Sequence, residues 1–314
     1  IKIKGSKNSA LPIMVSSLLS SNTLKLKNLP ELDDIKNMTK LLKSYGSTIK
    51  TNKNKLEINC NNIINKDADY DIVRKMRASI LILGPLISRF GQAKISLPGG
   101  CAIGTRPIDI HLEGLKKLGA NFSVENGYVI GKVKNGLTGS HIPLPFPSVG
   151  ATENIMMAST ISKGKTIIEN AAMEPEISDL ANCLNKMGAK IKIKNNGIIQ
   201  INGVSNLVKT NHKIMSDRIV AGTFIIAAVM LNKKFEVKDI HSEHLEALLE
   251  TLKAMGANLK INKNYIQIMP AKKLNGIKIQ TAPYPGFPTD LQAQIMALMS
   301  LAKGNSQIKE NIFE

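Results

Sequence analysis

Cys101 stands in the run LPGGCAIGTRPID (97–109), with Gly99, Gly100 and Gly104 around it, Arg106 five residues on and Asp109 three beyond that. A structural thiol usually sits among Leu, Ile and Val. Glycine instead lets a backbone turn sharply or come close to another molecule. A thiol with an ordinary pKa of about 8.5 is largely protonated at neutral pH and can deliver a proton; ionised beside a cation, it is a nucleophile. Asp290, in FPTDLQAQ, stands at the start of an apolar helical run, where an isolated carboxylate reads as a plain helix cap; its place among the regularly spaced helix starts below is what points beyond that. Lys7, Arg77 and Arg106 are cations suited to phosphate, diphosphate or carboxylate groups.

These residues fall on a repeat. Alternating strands begin at Thr23, Ala93, Lys165, Lys234 and Ser306, at intervals of 70, 72, 69 and 72 residues. A second signature, LLKSYGS, LKKLGAN, LNKMGAK and LKAMGAN, places Gly46, Gly119, Gly188 and Gly256 just past a helix and before a strand, the position of a C′ cap. The unit reads as helix, strand, acidic-capped helix, glycine, then strands. Its length makes each copy a small α/β subdomain rather than a solenoid turn. First helices start at Lys7-Asn8, Met76-Arg77, Val149-Gly150, Asp217-Arg218 and Thr289-Asp290. Each such start carries free N–H groups and about half a positive charge, so a gathering of them favours anions. Ser148, before Val149, also reads as an N-cap.

Five first halves and four second halves are present in 314 residues. The chain opens at Ile1 inside a strand without Met and stops at NIFE, so both ends are expected to be cut.

The bulk composition narrows the partners. Hydrophobic content is 43%, normal for a globular chain, and the longest apolar run, FIIAAVML (224–231), is too short to span a membrane. Three cysteines without CxxC spacing argue against a disulfide framework or zinc cage and fit a reducing cytosol. The net charge of +18 raises the possibility of nucleic acid, but the lysines are scattered and aromatics make up only 4%. SKGKT (162–166) is no P-loop, since Ser159 stands where its first glycine belongs. HSEHLE (241–246) has two His but no further His or Cys nearby to complete a metal site. Cys60 and Cys183 read as half-buried thiols, and Met156-Met157 as core.

GSKNSALPIM (5–14), RKMRASI (74–80), SLPGGCAIGTRPIDIH (96–111), PSVGAT (147–152), ENAAMEPEI (169–177), SDRIVAGTF (216–224) and APYPGFPTDLQAQ (282–294) resemble the UDP-N-acetylglucosamine 1-carboxyvinyltransferases, a family of enolpyruvyl transferases. The motifs occur in family order over essentially the whole chain. The resemblance implies an α/β (α+β) fold: a two-domain inside-out α/β barrel of pseudo-symmetric repeats, each about 70 residues. The expected first domain is 7–213, with three repeats. Residues 1–6 plus 214–314 are expected to form an incomplete second domain. Six such units would need roughly a hundred further residues.

The resemblance also implies a reaction. The 3′-hydroxyl of UDP-N-acetylglucosamine attacks C2 of phosphoenolpyruvate, a tetrahedral intermediate forms, and phosphate leaves, without metal or organic cofactor. Cys101 is then the proton donor to C3, and Asp290 the carboxylate near the reacting hydroxyl. Lys7 and Arg106 match phosphoenolpyruvate-side cations, and Asn8 an amino-sugar contact. Arg77 and the stretch Arg106, Pro107, Ile108, Asp109 and Ile110 match nucleotide positions. Phe146, Pro147, Ser148 and Val149 match the diphosphate region, with Phe146 standing where some members have a base. Ile312 matches a further sugar-nucleotide contact. A cytoplasmic monomer in peptidoglycan synthesis is the expectation. Two alternatives stay open: the sister transferase acting on shikimate 3-phosphate, which lacks a loop thiol, and a non-catalytic remnant that binds the sugar nucleotide.

Overall fold

The computed structural model describes residues 1–64, 76–96 and 108–313. The chain divides into two compact units, Lys7–Met215 and Ile1–Ser6 with Ser216–Glu314. The larger unit runs two residues past the 213–214 boundary read from the sequence. Met215 still belongs to it because its N–H donates to Asp179 Oδ2 at 3.1 Å.

The larger unit opens with α1 (Lys7–Ser16), followed by β1 (Leu24–Lys27), α2 (Asp33–Ser44), β2 (Thr48–Asn52) and β3 (Lys55–Asn59). A second copy follows: α3 (Leu83–Phe90), β4 (Gln92–Ser96), α4 (Asp109–Lys117), β5 (Asn121–Glu125) and β6 (Tyr128–Lys132). After the short β7 (His141–Pro143), the third copy comprises α5 (Val149–Thr160), β8 (Lys165–Glu169), α6 (Pro175–Lys186), β9 (Lys190–Lys194) and β10 (Ile198–Asn202), and β11 (Thr210–Lys213) ends the unit. In every copy the first strand pairs antiparallel with the third, and the third antiparallel with the second. β7 lies parallel to β8, joining copies two and three. β11 lies parallel to β1, joining copy three back to copy one.

The helices have two characters. The outer ones are amphipathic: α2 buries Ile35, Met38, Leu41 and Leu42, at helical spacing, and exposes its lysines. α1 and α5 are buried nearly all round, from Ser9 to Ser16 and from Ala151 to Thr160. Such helices must lie at the centre, and the sheets take the outside. Tyr45, Met14, Leu18 and Ile82 are among the large side chains filling the resulting core.

The smaller unit repeats the pattern with α7 (Arg218–Met230), β12 (Phe235–Lys238), α8 (Glu246–Met255), β13 (Asn258–Asn262) and β14 (Tyr265–Met269), in the same antiparallel order. β15 (Lys278–Gln280), α9 (Gln292–Met299) and β16 (Gln307–Lys309) follow, with β15 and β16 parallel.

The glycine signature has its physical cause in the backbone. Gly46, Gly119, Gly188 and Gly256 take φ of 101°, 102°, 104° and 99°, a left-handed turn that only glycine adopts without strain. A second repeated feature escaped the sequence reading. Asn28, Asn170 and Asp239 follow the first strand of their copies with φ of 63°, 53° and 58°. Asn and Asp tolerate this region best among residues with a side chain. Asn28 Nδ2 donates to the Ile214 carbonyl and Asn170 Nδ2 to the Leu144 carbonyl, each at 2.9 Å, pinning the chain near the end of the neighbouring parallel strand.

Two expectations need correction. The helices expected at Met76-Arg77 and Thr289-Asp290 open as 3-10 turns, Arg77–Ile82 and Thr289–Leu291, before α3 and α9. At the first, Pro85 favours the break. In an α-helix begun at Arg77 its ring would crowd the Leu81 carbonyl, a cost that α1 bears at Pro12, whereas in α3 it falls in the first turn, where no N–H is needed. Cys60 and Cys183 are fully buried rather than half-buried. Cys60 packs between the Ser17 and Ser47 hydroxyls at 3.4 and 3.2 Å, and Cys183 lies on the buried face of α6.

Candidate active site

Cys101, Arg106 and Pro107 lie outside the described residues, as does the side chain of Arg77. The remaining candidates divide between the two units.

In the larger unit, Lys7 and Asn8 form the first turn of α1, which Asp179 anchors. Ser9 Oγ donates to Asp179 Oδ2, and His212 Nε2 lies 2.9 Å from Oδ1. Burial pushes the Asp179 carboxyl up, but the bond and charge of His212, with the Ser9 and Met215 donors, outweigh it and leave the group below its ordinary value. Lys7 Nζ lies 2.8 Å from Asp34 Oδ2 at the start of α2, so its charge is paired inside the unit.

Ile108 precedes α4, and Asp109 and Ile110 begin it, Asp109 exposed in the first turn where its charge suits the helix dipole. Phe146 is 42% exposed. Ser148 caps α5, accepting the Ala151 N–H at 3.4 Å, so the cap reading of this serine is realised. That bond is long, and the other N–H groups of the first turn point outward from the helix start. α4 and α5 pack closely: a β-carbon at Gly114 would run into Ile155. The Ile108–Ile110 and Ser148–Val149 segments are thereby held by neighbouring helices.

In the smaller unit, Asp290 is exposed in the 3-10 turn and makes no side-chain cap. Among the described residues it has no hydrogen bond or ion pair. Its carboxylate is thus unspent within the described fold, whereas Asp217 spends its own on the Ile219 and Val220 N–H groups, each at 2.9 Å. Sequence reasoning missed Glu310, which links the two candidates of this unit. Its Oε2 accepts from Thr289 Oγ1 at 2.9 Å, beside Asp290, and its Oε1 accepts the Ile312 N–H at 2.6 Å, with Thr281 Oγ1 and the Phe313 N–H. Partial burial raises its pKa, but these four donors hold it below the usual carboxylate range. No sequence pattern announced it; an acid after a short strand reads as solvated.

The buried polar groups of α5 were also missed. Glu153 is buried, and burial together with the Glu176 and Glu174 charges pushes its pKa well above the carboxylate range. Neutral, it avoids the cost of a buried charge.

A profile of the family described as EPSP synthase (3-phosphoshikimate 1-carboxyvinyltransferase) matches residues 1–314. A UDP-N-acetylglucosamine 1-carboxyvinyltransferase of Caldanaerobacter subterraneus subsp. tengcongensis and one of Pelagibacter ubique are each 48% identical over 314 residues, covering all of this chain and 75% of theirs. The enolpyruvyl transferase NikO of Streptomyces tendae shares the fold with a TM-score of 0.88 at 18% identity, over 99% of this chain and 74% of that one. EPSP synthase of Acinetobacter baumannii gives 0.74 at 18% identity, over 98% and 72%. With a mixed α/β fold matching these structures and a 48% likeness along its whole length, the chain belongs to the enolpyruvyl transferase family, among the UDP-N-acetylglucosamine 1-carboxyvinyltransferases.

Proposed function

We propose that this protein transfers the enolpyruvyl group of phosphoenolpyruvate to the 3′-hydroxyl of UDP-N-acetylglucosamine, a cytoplasmic step of peptidoglycan synthesis. The observation that carries the reading is the 48% identity to transferases of that name over every residue of the chain.

The residues divide the work as the chemistry requires. Asp290 takes the proton of the 3′-hydroxyl as its oxygen bonds to C2. The Cys101 thiol gives a proton to C3, so the double bond is saturated as the tetrahedral intermediate forms. In the second half, the bond from C2 to the phosphate oxygen breaks, a C3 proton leaves, and the double bond returns in the ether. Lys7 and Arg106 hold the phosphate and carboxylate charges, which are densest as phosphate departs. Asn8 contacts the amino sugar, and Arg77 with residues 106–110 takes the nucleotide. Ser148 and Val149, at a helix N-terminus flanked by Phe146 and Pro147, take the diphosphate. Ile312 borders the sugar.

The same reading makes Lys7–Met215 a three-repeat inside-out domain and the smaller unit part of a second. Exposed apolar side chains on the two central helices of the smaller unit support this: Val220, Phe224 and Leu231 on or just after α7, Met296 and Leu301 on or just after α9. The two helices are joined by a bond from Gln294 Nε2 to Thr223 Oγ1 at 3.0 Å. In the larger unit the corresponding central helices are covered.

Calorimetric titration of the protein isolated from its native source separates the acceptors. UDP-N-acetylglucosamine is expected to bind and shikimate 3-phosphate not to. The reverse result would assign the chain to the sister activity.

A further inference from the structure

Asn154 lies on α5, six residues past the Ser148 cap, and is fully buried. Its side chain joins three segments. The Gly84 N–H donates to its Oδ1 at 2.8 Å, its Nδ2 donates to the Ile80 carbonyl at 3.0 Å, and Nδ2 also lies 3.2 Å from His111 Nδ1. A backbone N–H can only donate and a carbonyl can only accept, so these two partners fix which end of the amide is oxygen and which nitrogen. The second amide hydrogen then faces His111 Nδ1, which must accept it. A neutral imidazole that accepts at Nδ1 carries its proton at Nε2.

We infer that Asn154 is a positioning residue for the nucleotide end of the site, holding His111 as the neutral Nε2–H tautomer against the first turn of α5. The ring lies close to that turn: a β-carbon at Gly150 would sit 3.1 Å from its Cε1 and 3.3 Å from its Nε2. The packing on the other side of the amide is as tight, since a β-carbon at Gly84 would run into Asn154 Oδ1. The segments tied together carry the nucleotide candidates: the 3-10 turn that begins at Arg77, the helix that begins at Asp109, and the helix start at Ser148–Val149. With the proton on Nε2, the ring edge beside the helix start has the same polarity as the N–H groups there, which suits an anionic diphosphate. The other tautomer would put a lone pair at that edge. The inference rests on the reading of the nucleotide end given above.

Nitrogen-15 correlation spectra of the His111 ring in the unliganded protein test the tautomer without reference to activity. At neutral pH, Nδ1 is expected unprotonated and Nε2 protonated. In Asn154→Asp, the Gly84 N–H keeps an acceptor, but the Ile80 carbonyl loses its donor and Nδ1 faces a carboxylate oxygen, so the neutral ring moves its proton from Nε2 to Nδ1. The KM for UDP-N-acetylglucosamine is then expected to rise about tenfold, with kcat and the KM for phosphoenolpyruvate within about threefold of wild type. A protonated Nδ1 in the wild type would overturn the proposal, whether or not the variant folds. So would a folded Asn154→Asp variant with unchanged KM, or one in which all kinetic constants and the melting temperature fall together. A wild-type protein that binds no UDP-N-acetylglucosamine would instead overturn the functional reading, while the ring spectrum would still report the tautomer.

Discussion

Lys7 Nζ and Asp34 Oδ2 lie 2.8 Å apart, so a cation proposed to hold phosphoenolpyruvate already has a carboxylate partner within its own unit. The two side chains are 44% and 34% exposed, which limits the worth of the pair to between zero and about 1 kcal/mol. The substrate's charges therefore have little to displace. Asp34→Asn is expected to change stability by less than about 1 kcal/mol and kcat/KM by less than about tenfold. Lys7→Ala should lower kcat/KM by about a hundredfold or more. Denaturant titration and steady-state kinetics on both variants check the contrast.

Asp217 directly precedes α7, and Asp290 lies in the 3-10 turn before α9, but of the two only Asp217 makes a cap. Asp290→Asn should leave the melting temperature unchanged and lower kcat by about 10²–10⁴-fold, with little effect on substrate affinity. Asp217→Ala should cost about 1 kcal/mol of stability. A loss of stability in Asp290→Asn with activity retained would make Asp290 structural.

The two described thiols are poor nucleophiles. Burial raises the pKa of Cys60, and burial with the charge of Asp179 pushes Cys183 up to about 12. Both are protonated at neutral pH and shielded from solvent. An epoxide phosphonate such as fosfomycin is expected to modify Cys101 alone, and Cys101→Ser to abolish the adduct. Peptide mapping that found the label on Cys60 or Cys183 would contradict the assignment of the loop thiol.

Glu153 gives a pH dependence of stability. Its folded pKa lies well above the ordinary value of 4.5, so the fold holds a proton that the unfolded chain releases. Its contribution is fully present below the ordinary value and is lost as pH rises toward the folded one. Glu153→Gln removes this loss and should raise the melting temperature more at pH 8 than at pH 5. An equal shift at both would mean the carboxyl is ionised in the fold.

The repeat was legible because its marks are local. A left-handed turn demands glycine within one residue, and strand alternation shows in five. Helix boundaries were less so: Pro85 lies eight residues past Arg77, and the sequence reading did not weigh its ring against an α-helical start there. The polar joints were hidden for another reason. Lys7 and Asp34 are 27 residues apart, His111 and Asn154 are 43, and Gly84 and Asn154 are 70. Each partner alone reads as an ordinary residue, and only the packed repeats bring them together. Cys60 was misjudged for the same reason, since its burial depends on Ser17, 43 residues earlier.

The central claim is tested most directly by turnover. The protein isolated from its native source would be mixed with phosphoenolpyruvate and UDP-N-acetylglucosamine, and inorganic phosphate and the acceptor's mass followed together. The account predicts one phosphate released for each enolpyruvyl ether formed on the 3′-hydroxyl, with none in Cys101→Ala. Binding of UDP-N-acetylglucosamine without phosphate or ether would contradict it and leave a sugar-nucleotide-binding remnant.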